Sequence, residues 1–261
     1  MRIRRLALFP LLYAVAFIAV VLWLGSGDTL TRGLLGQRFV LRLLAISGCL
    51  AAVSVFDRGD RLRRAWFLLG TSTTLVLLRD LLQLAPVGLA PDSLLSSILL
   101  VLGNLAGLSG IWILARTWRV AAISLPGGRT GAVVVTVAAA VLALLVAGPE
   151  VLHEARAVGA GDLTALSLLF AAVVDVLTLV LLAPLLLTTL ALRGGLFAWP
   201  WGLLTANAVA WLLYDGAAAL APVLTPHGFL LPELFRGVAE ASLFVAGFAQ
   251  KRAVDLVRKA A

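Results

Sequence analysis

Arg42, Arg79, Asp80, Asp175, Asp215, Arg236 and Glu240 stand inside stretches of this chain that are otherwise almost free of charge. An ionised side chain at the centre of a bilayer costs about 2.5–3.5 kcal/mol on insertion scales, so such residues face protein or water and find partners. Carboxylates and guanidiniums in that setting can bind a polar ligand, relay protons or hold a cation. They can also serve only to fix helix register as buried ion pairs. Arg42 and Arg79 have a third option, which is to snorkel to lipid headgroups. With Asn104, these residues form the candidate ligand or ion site. Neither a metal nor a cofactor is expected: the single cysteine, Cys49, lies in an apolar run, and no CxxC or Cys/His spacing is present.

The elements that must hold these residues are helices in a membrane. The chain has 261 residues, of which 62% are hydrophobic and 13% charged, whereas soluble domains carry about 25% charged residues. Apolar windows of about 20 residues predict eight spans, near 6–24, 39–56, 65–85, 94–115, 130–148, 164–192, 197–221 and 230–250. Turn-forming stretches separate them, among them "GSGD", "DRGDR", "SLPGGR" and "TPHG". Pro184 predicts a kink or tilt in the sixth span. The fold class is therefore all-α, a polytopic integral membrane protein. The basic start and apolar run from Leu6 to Leu24 imitate a signal peptide. That run exceeds the usual length and no A-x-A site follows it, so it is expected to be an uncleaved first span.

Arginine and lysine placement predicts orientation. With a cytoplasmic N-terminus, that side collects Arg2, Arg4, Arg5, Arg58, Arg61, Arg63, Arg64, Arg116, Arg119, Arg129, Arg193, Lys251, Arg252, Arg258 and Lys259. The other side receives Arg32, Arg38 and Arg156. This asymmetry places both termini in the cytoplasm and the chain in a bacterial inner membrane. The net charge of +8 thus sits in short loops, which excludes a nucleic-acid-binding surface.

Segment 58–80, "RGDRLRRAWFLLGTSTTLVLLRD", aligns without a gap on 193–215, "RGGLFAWPWGLLTANAVAWLLYD". Trp66 then falls on Trp201 and Asp80 on Asp215; one residue further along, Asn104 falls on Glu240 and Arg116 on Arg252. The spacing predicts a parallel 4+4 duplication, residues 1–123 and 124–261, within a single membrane domain. At about 1.5 Å per residue, Asp80 lies roughly 22 Å along its span. The same arithmetic puts all seven charges between the outer interface and the midplane, as a polar cavity opening outward requires. Hairpin adjacency pairs Asp80 with Arg42 and Asp215 with Arg236, and helical spacing pairs Arg236 with Glu240.

Other features have simpler readings. Gly103, Gly107, Ala106 and Gly110 offer a small-residue face for close helix packing. Tryptophans 23, 66, 118, 199 and 201 fall at span ends, as in an interfacial aromatic belt. Trp112 and Trp211 lie deeper. Glu150, His153 and Glu154 are expected in an outer loop.

The "RRAW-x-LL" start of span 3, with its closing aspartate, and the "W-x-LL…YD" of span 7 resemble the multi-span membrane input regions of bacterial diguanylate cyclases and histidine kinases. Those regions precede an output domain, which this chain is not expected to carry, so a sensory role would act through a cytoplasmic or membrane partner protein. Gly107-Leu108-Ser109-Gly110 resembles the nucleophile motif of rhomboid intramembrane proteases, which pair the serine with a histidine inside another span. Here His153 and His227 fall in outer loops, so nothing is in place to activate Ser109. Three functional classes follow: a sensory or accessory protein binding a small or lipid-like ligand, a proton- or cation-coupled transporter or lipid-handling protein, and a lipid-processing enzyme. The last ranks lowest, since no nucleophile–base pair is evident. Membrane lipids are the expected surroundings, and self-association is compatible with the sequence.

Overall fold

The computed structural model describes residues 6–24, 27–84, 90, 93–120, 128–191, 195–220 and 229–260. They form eight helices: α1 (Phe9–Leu24), α2 (Asp28–Val53), α3 (Arg61–Leu84), α4 (Leu94–Val120), α5 (Gly128–Gly159), α6 (Leu163–Ala191), α7 (Ala198–Leu220) and α8 (Leu230–Ala260). Long apolar runs fold this way because a helix satisfies its own backbone where no water is at hand. Six helices, α2 to α7, are long and apolar enough to cross a membrane. Helix α1 is apolar but shorter, at 16 residues. Helix α8 has 31 residues and carries Glu233, Arg236 and Glu240 in its first half.

Polar residues set the helix starts. The Leu62 amide donates to Asp60 Oδ1 at 2.8 Å ahead of α3. Between α5 and α6, Gly161 takes a positive φ of 96°, which a side chain would strain. Asp162 then caps α6, accepting from the amides of Thr164 and Ala165 and from the Thr164 hydroxyl. These hydrogen bonds, the hydroxyl's first, hold the Asp162 carboxyl below the usual carboxylate range.

Six helices form a closed ring in which each touches the next: α2, α3, α4, α6, α7, α8 and back to α2. The other two lie outside it. Helix α5 packs on α6 and α7, and α1 packs mainly on α8. Tyr13 of α1 sits against Gly237 and accepts a hydrogen bond from Gln37. Phe9 meets Phe244 edge-on at 5.6 Å.

Glycines let ring helices approach. Gly103, Gly107 and Gly110 of α4 all face α3: a Cβ there would meet Val76 at 3.2 Å, Ser72 Oγ at 3.0 Å and the Ala65 carbonyl at 2.9 Å. Gly48 and Gly247 abut where α2 crosses α8, and a Cβ on either would collide with the other helix's backbone.

The structure corrects several sequence expectations. Glu150, His153 and Glu154 are not in a loop, because α5 continues through Pro149 to Gly159. Trp66 and Trp201 do not present an exposed aromatic belt; they are 1% and 4% exposed, packed in the core. Trp23 does stay on the surface. Arg2, Arg4, Arg5, Arg193 and His227 lie outside the described residues, as do the side chains of Trp118 and Arg119.

Candidate functional site

A cavity of about 390 Å³ occupies the middle of the ring. It lies toward the N-terminal ends of α2, α4, α6 and α8 and the C-terminal ends of α3 and α7. All eight sequence candidates line it: Arg42, Arg79, Asp80, Asn104, Asp175, Asp215, Arg236 and Glu240. Every ring helix contributes, and α5 adds Glu150 from outside the ring.

On one side, Arg42 is the hub. It is 3% exposed, with Nη1 3.1 Å from Asp80 Oδ2 on α3 and Nε 3.7 Å from Glu240 Oε1 on α8. The Arg42–Asp80 pair is the one expected from the α2–α3 hairpin. Both doubtful arginines have protein surroundings: Arg42 is buried, and Arg79 Nε donates to Ser96 Oγ at 2.8 Å, where Gln83 also donates at 3.0 Å.

Two expected pairings are replaced. Arg236 bridges Glu233 at 3.3 Å rather than Asp215 or Glu240. It also donates to Tyr214 Oη at 2.8 Å and lies over that ring. Glu233, one turn before Arg236, takes a second guanidinium in a two-pronged contact: Arg38 Nε at 2.8 Å and Nη2 at 2.6 Å. Asp215 instead faces Asp175 across α6 and α7, near enough for the two carboxyl groups to interact. Two carboxyl groups hydrogen-bond each other only with a proton between them. Glu150 is close enough to Asp215 to act on it electrostatically.

Sequence reasoning missed Arg38, Gln83, Glu150, Tyr214 and Asn207 as lining residues. The i, i+3, i+4, i+7 stripe through Asp80 and Asp215 points to most of them. On α3 the lining positions include 72, 73, 76, 79, 80 and 83; on α7 they are 207, 208, 211, 214, 215 and 218, each 135 residues later. The candidate Asn104 turns its amide to its own Leu100 carbonyl at 3.0 Å, whereas Asn207 donates to the Ala239 carbonyl of α8 at 2.9 Å.

Not every polar atom is satisfied. Among the described residues, Arg42 Nε, Asp215 Oδ2 and Arg236 Nε are buried without a hydrogen-bond partner. A buried donor left without a hydrogen bond costs about 1–3 kcal/mol, so a polar occupant reaching Arg236 Nε is favoured. Among the described residues no three His, Cys, Asp or Glu side chains are disposed to hold a metal ion. Ser109 is exposed and does not line the cavity. No family model, no curated protein and no solved structure matches this chain, so its function rests on the chemistry of the cavity itself.

Proposed function

We propose that this chain is a bacterial multi-pass membrane protein that binds a small polar or amphipathic ligand in the ring cavity. It acts as a sensory or accessory protein whose occupancy is passed to a partner. The observation carrying this reading is the cavity wall: charged side chains from both halves of the chain converge there, with buried polar atoms left over. The basic residues cluster at the opposite end of the helices, so by the positive-inside asymmetry the cavity opens outward and both termini are cytoplasmic.

A parallel 4+4 duplication underlies this architecture in the same reading. Ring neighbours exchange in pairs under it: α2–α3 with α6–α7, α3–α4 with α7–α8, and α2–α8 with α6–α4. The lining positions on α3 and α7 and the buried Trp66 and Trp201 share one offset. Helices α1 and α5 depart from it, since α1 leans on α8 while α5 leans on α6 and α7.

The Asp175–Asp215 pair favours a second reading, proton-coupled transport, because two carboxyl groups facing each other in a cavity wall can share and exchange a proton. Native mass spectrometry of the protein in lipid nanodiscs, wild type beside Asp215→Asn, tests the cavity. A bound small molecule lost in the folded variant supports ligand binding and gives its mass. Identical spectra, with no adduct in either protein, count against it. Proton uptake driven by a pH gradient in proteoliposomes, abolished by the same variant, would favour transport over sensing.

A further inference from the structure

The other end of α3 and α4 carries a second pocket, of about 250 Å³, lined by Arg61, Arg64, Trp112, Ile113, Arg116 and Thr117. Three guanidiniums from two helices converge on it, and among the described residues none of them makes an ion pair with a carboxylate. Five N–H donors on each arginine suit the two free oxygens of a phosphodiester, and arginine meets that group in a planar, two-pronged fashion. We infer that this pocket binds the headgroup of an anionic phospholipid.

The surface around it separates a lipid from a free phosphate. Leu102, Leu105 and Trp112 form an exposed apolar stripe on α4 at helical spacing, and Arg116 continues the same face. On α3, Leu78 and Phe67 are exposed on the side that leads down to Arg64. A phosphate at the arginines would thus have its acyl chains laid along apolar surface already turned to the hydrocarbon. The exposed Trp112 is an amphipathic ring at the junction of the two, where tryptophan settles in membranes. A second copy of the chain would bring the same three positive charges to the contact. This site shares no lining residue with the ring cavity.

The test is a titration of delipidated protein in detergent with phosphatidylglycerol and with phosphatidylcholine of matched chains, adducts being counted by native mass spectrometry. Phosphatidylglycerol should bind more tightly. Each guanidinium removed should weaken it about fivefold, so Arg64→Gln with Arg116→Gln weakens it roughly twenty-five-fold. Arg252→Gln, which removes a charge on α8 outside the pocket, should change nothing. Both pocket arginines are exposed, so folding should survive; if the double variant does not elute as a single species, Arg116→Gln alone should still show its fivefold loss. Equal binding of the two lipids overturns the assignment, as does an equal loss in Arg252→Gln, which would mean diffuse charge. Displacement of phosphatidylglycerol by millimolar inorganic phosphate would make this a free-anion site and overturn it equally.

Discussion

Asp175 and Asp215 face each other between α6 and α7, while Arg42 and Asp80 form an ion pair between α2 and α3. One hairpin sets a guanidinium beside its carboxylate, and the other sets two carboxyl groups face to face. This difference gives the cavity wall its unequal chemistry and supplies the first prediction.

Asp215→Asn offers Asp175 a donor in its amide N–H₂. Its stability should stay within about 1 kcal/mol of wild type. Asp215→Leu sets an apolar side chain against the half-buried Asp175 and should cost about 1–3 kcal/mol. Thermal unfolding in detergent separates the two, and equal losses would mean that the carboxyl pair does not hold the hairpin.

Arg42→Met strips the cation from both Asp80 and Glu240. Breaking a buried pair by removing one partner costs about 3–5 kcal/mol, because a charge is left uncompensated. Adding Asp80→Asn and Glu240→Gln should recover most of that loss. If the triple variant is no more stable than Arg42→Met, the three residues do not act as one network.

Gly247→Ala places a methyl against the backbone of α2 at Gly48. Overpacking of this kind costs about 1–3 kcal/mol or more, since neither backbone can move aside cheaply. Gly36→Ala meets nothing within 4 Å and should be neutral or slightly stabilising. Melting temperatures in one detergent decide it, and the prediction fails if the two alanines shift them alike.

Outside the membrane, the Asp162 cap carries a pH dependence. Its folded pKa lies below its unfolded value. The cap therefore adds stability above an unfolded pKa of about 3.9 and loses it as pH falls through the lower folded value. Asp162→Asn keeps a capping acceptor without the titration. The melting temperature of wild type should fall further than that of Asp162→Asn on acidification through this range, and parallel curves would remove Asp162 as a cause.

Much of this fold was legible because lipid imposes a simple rule on sequence. Apolar runs separated by glycine and proline become helices, so eight segments and the glycine face of α4 could be read directly. The Arg42–Asp80 pair was legible too, since neighbouring spans at matched depth must meet. What single-sequence reasoning could not reach was long-range partnering. Glu240 reaches Arg42 because α8 closes the ring against α2, and nothing local to either residue says so. Arg236 had several acids within reach, and the choice of Glu233 depended on Arg38 arriving from α2 to share it. Trp66 and Trp201 were misplaced because tryptophan at a span end satisfies an interface and a core equally well, and only packing decides.

The Arg42 hub also bears on the order in which the protein is made. Arg42 emerges before Asp80, and both belong to one hairpin, so the first charges offered to the bilayer can leave the aqueous phase together. Asp175 and Asp215 likewise arrive within one hairpin. Glu240 is synthesised last of the five, when its counter-charge is already in the membrane some two hundred residues behind it. Its helix is the one that joins the two open edges of the ring. Closure of the ring by α8 is thus the step that waits for the rest of the bundle. A ribosome stalled before α8 should leave an open, protease-sensitive intermediate with Arg42 only half partnered.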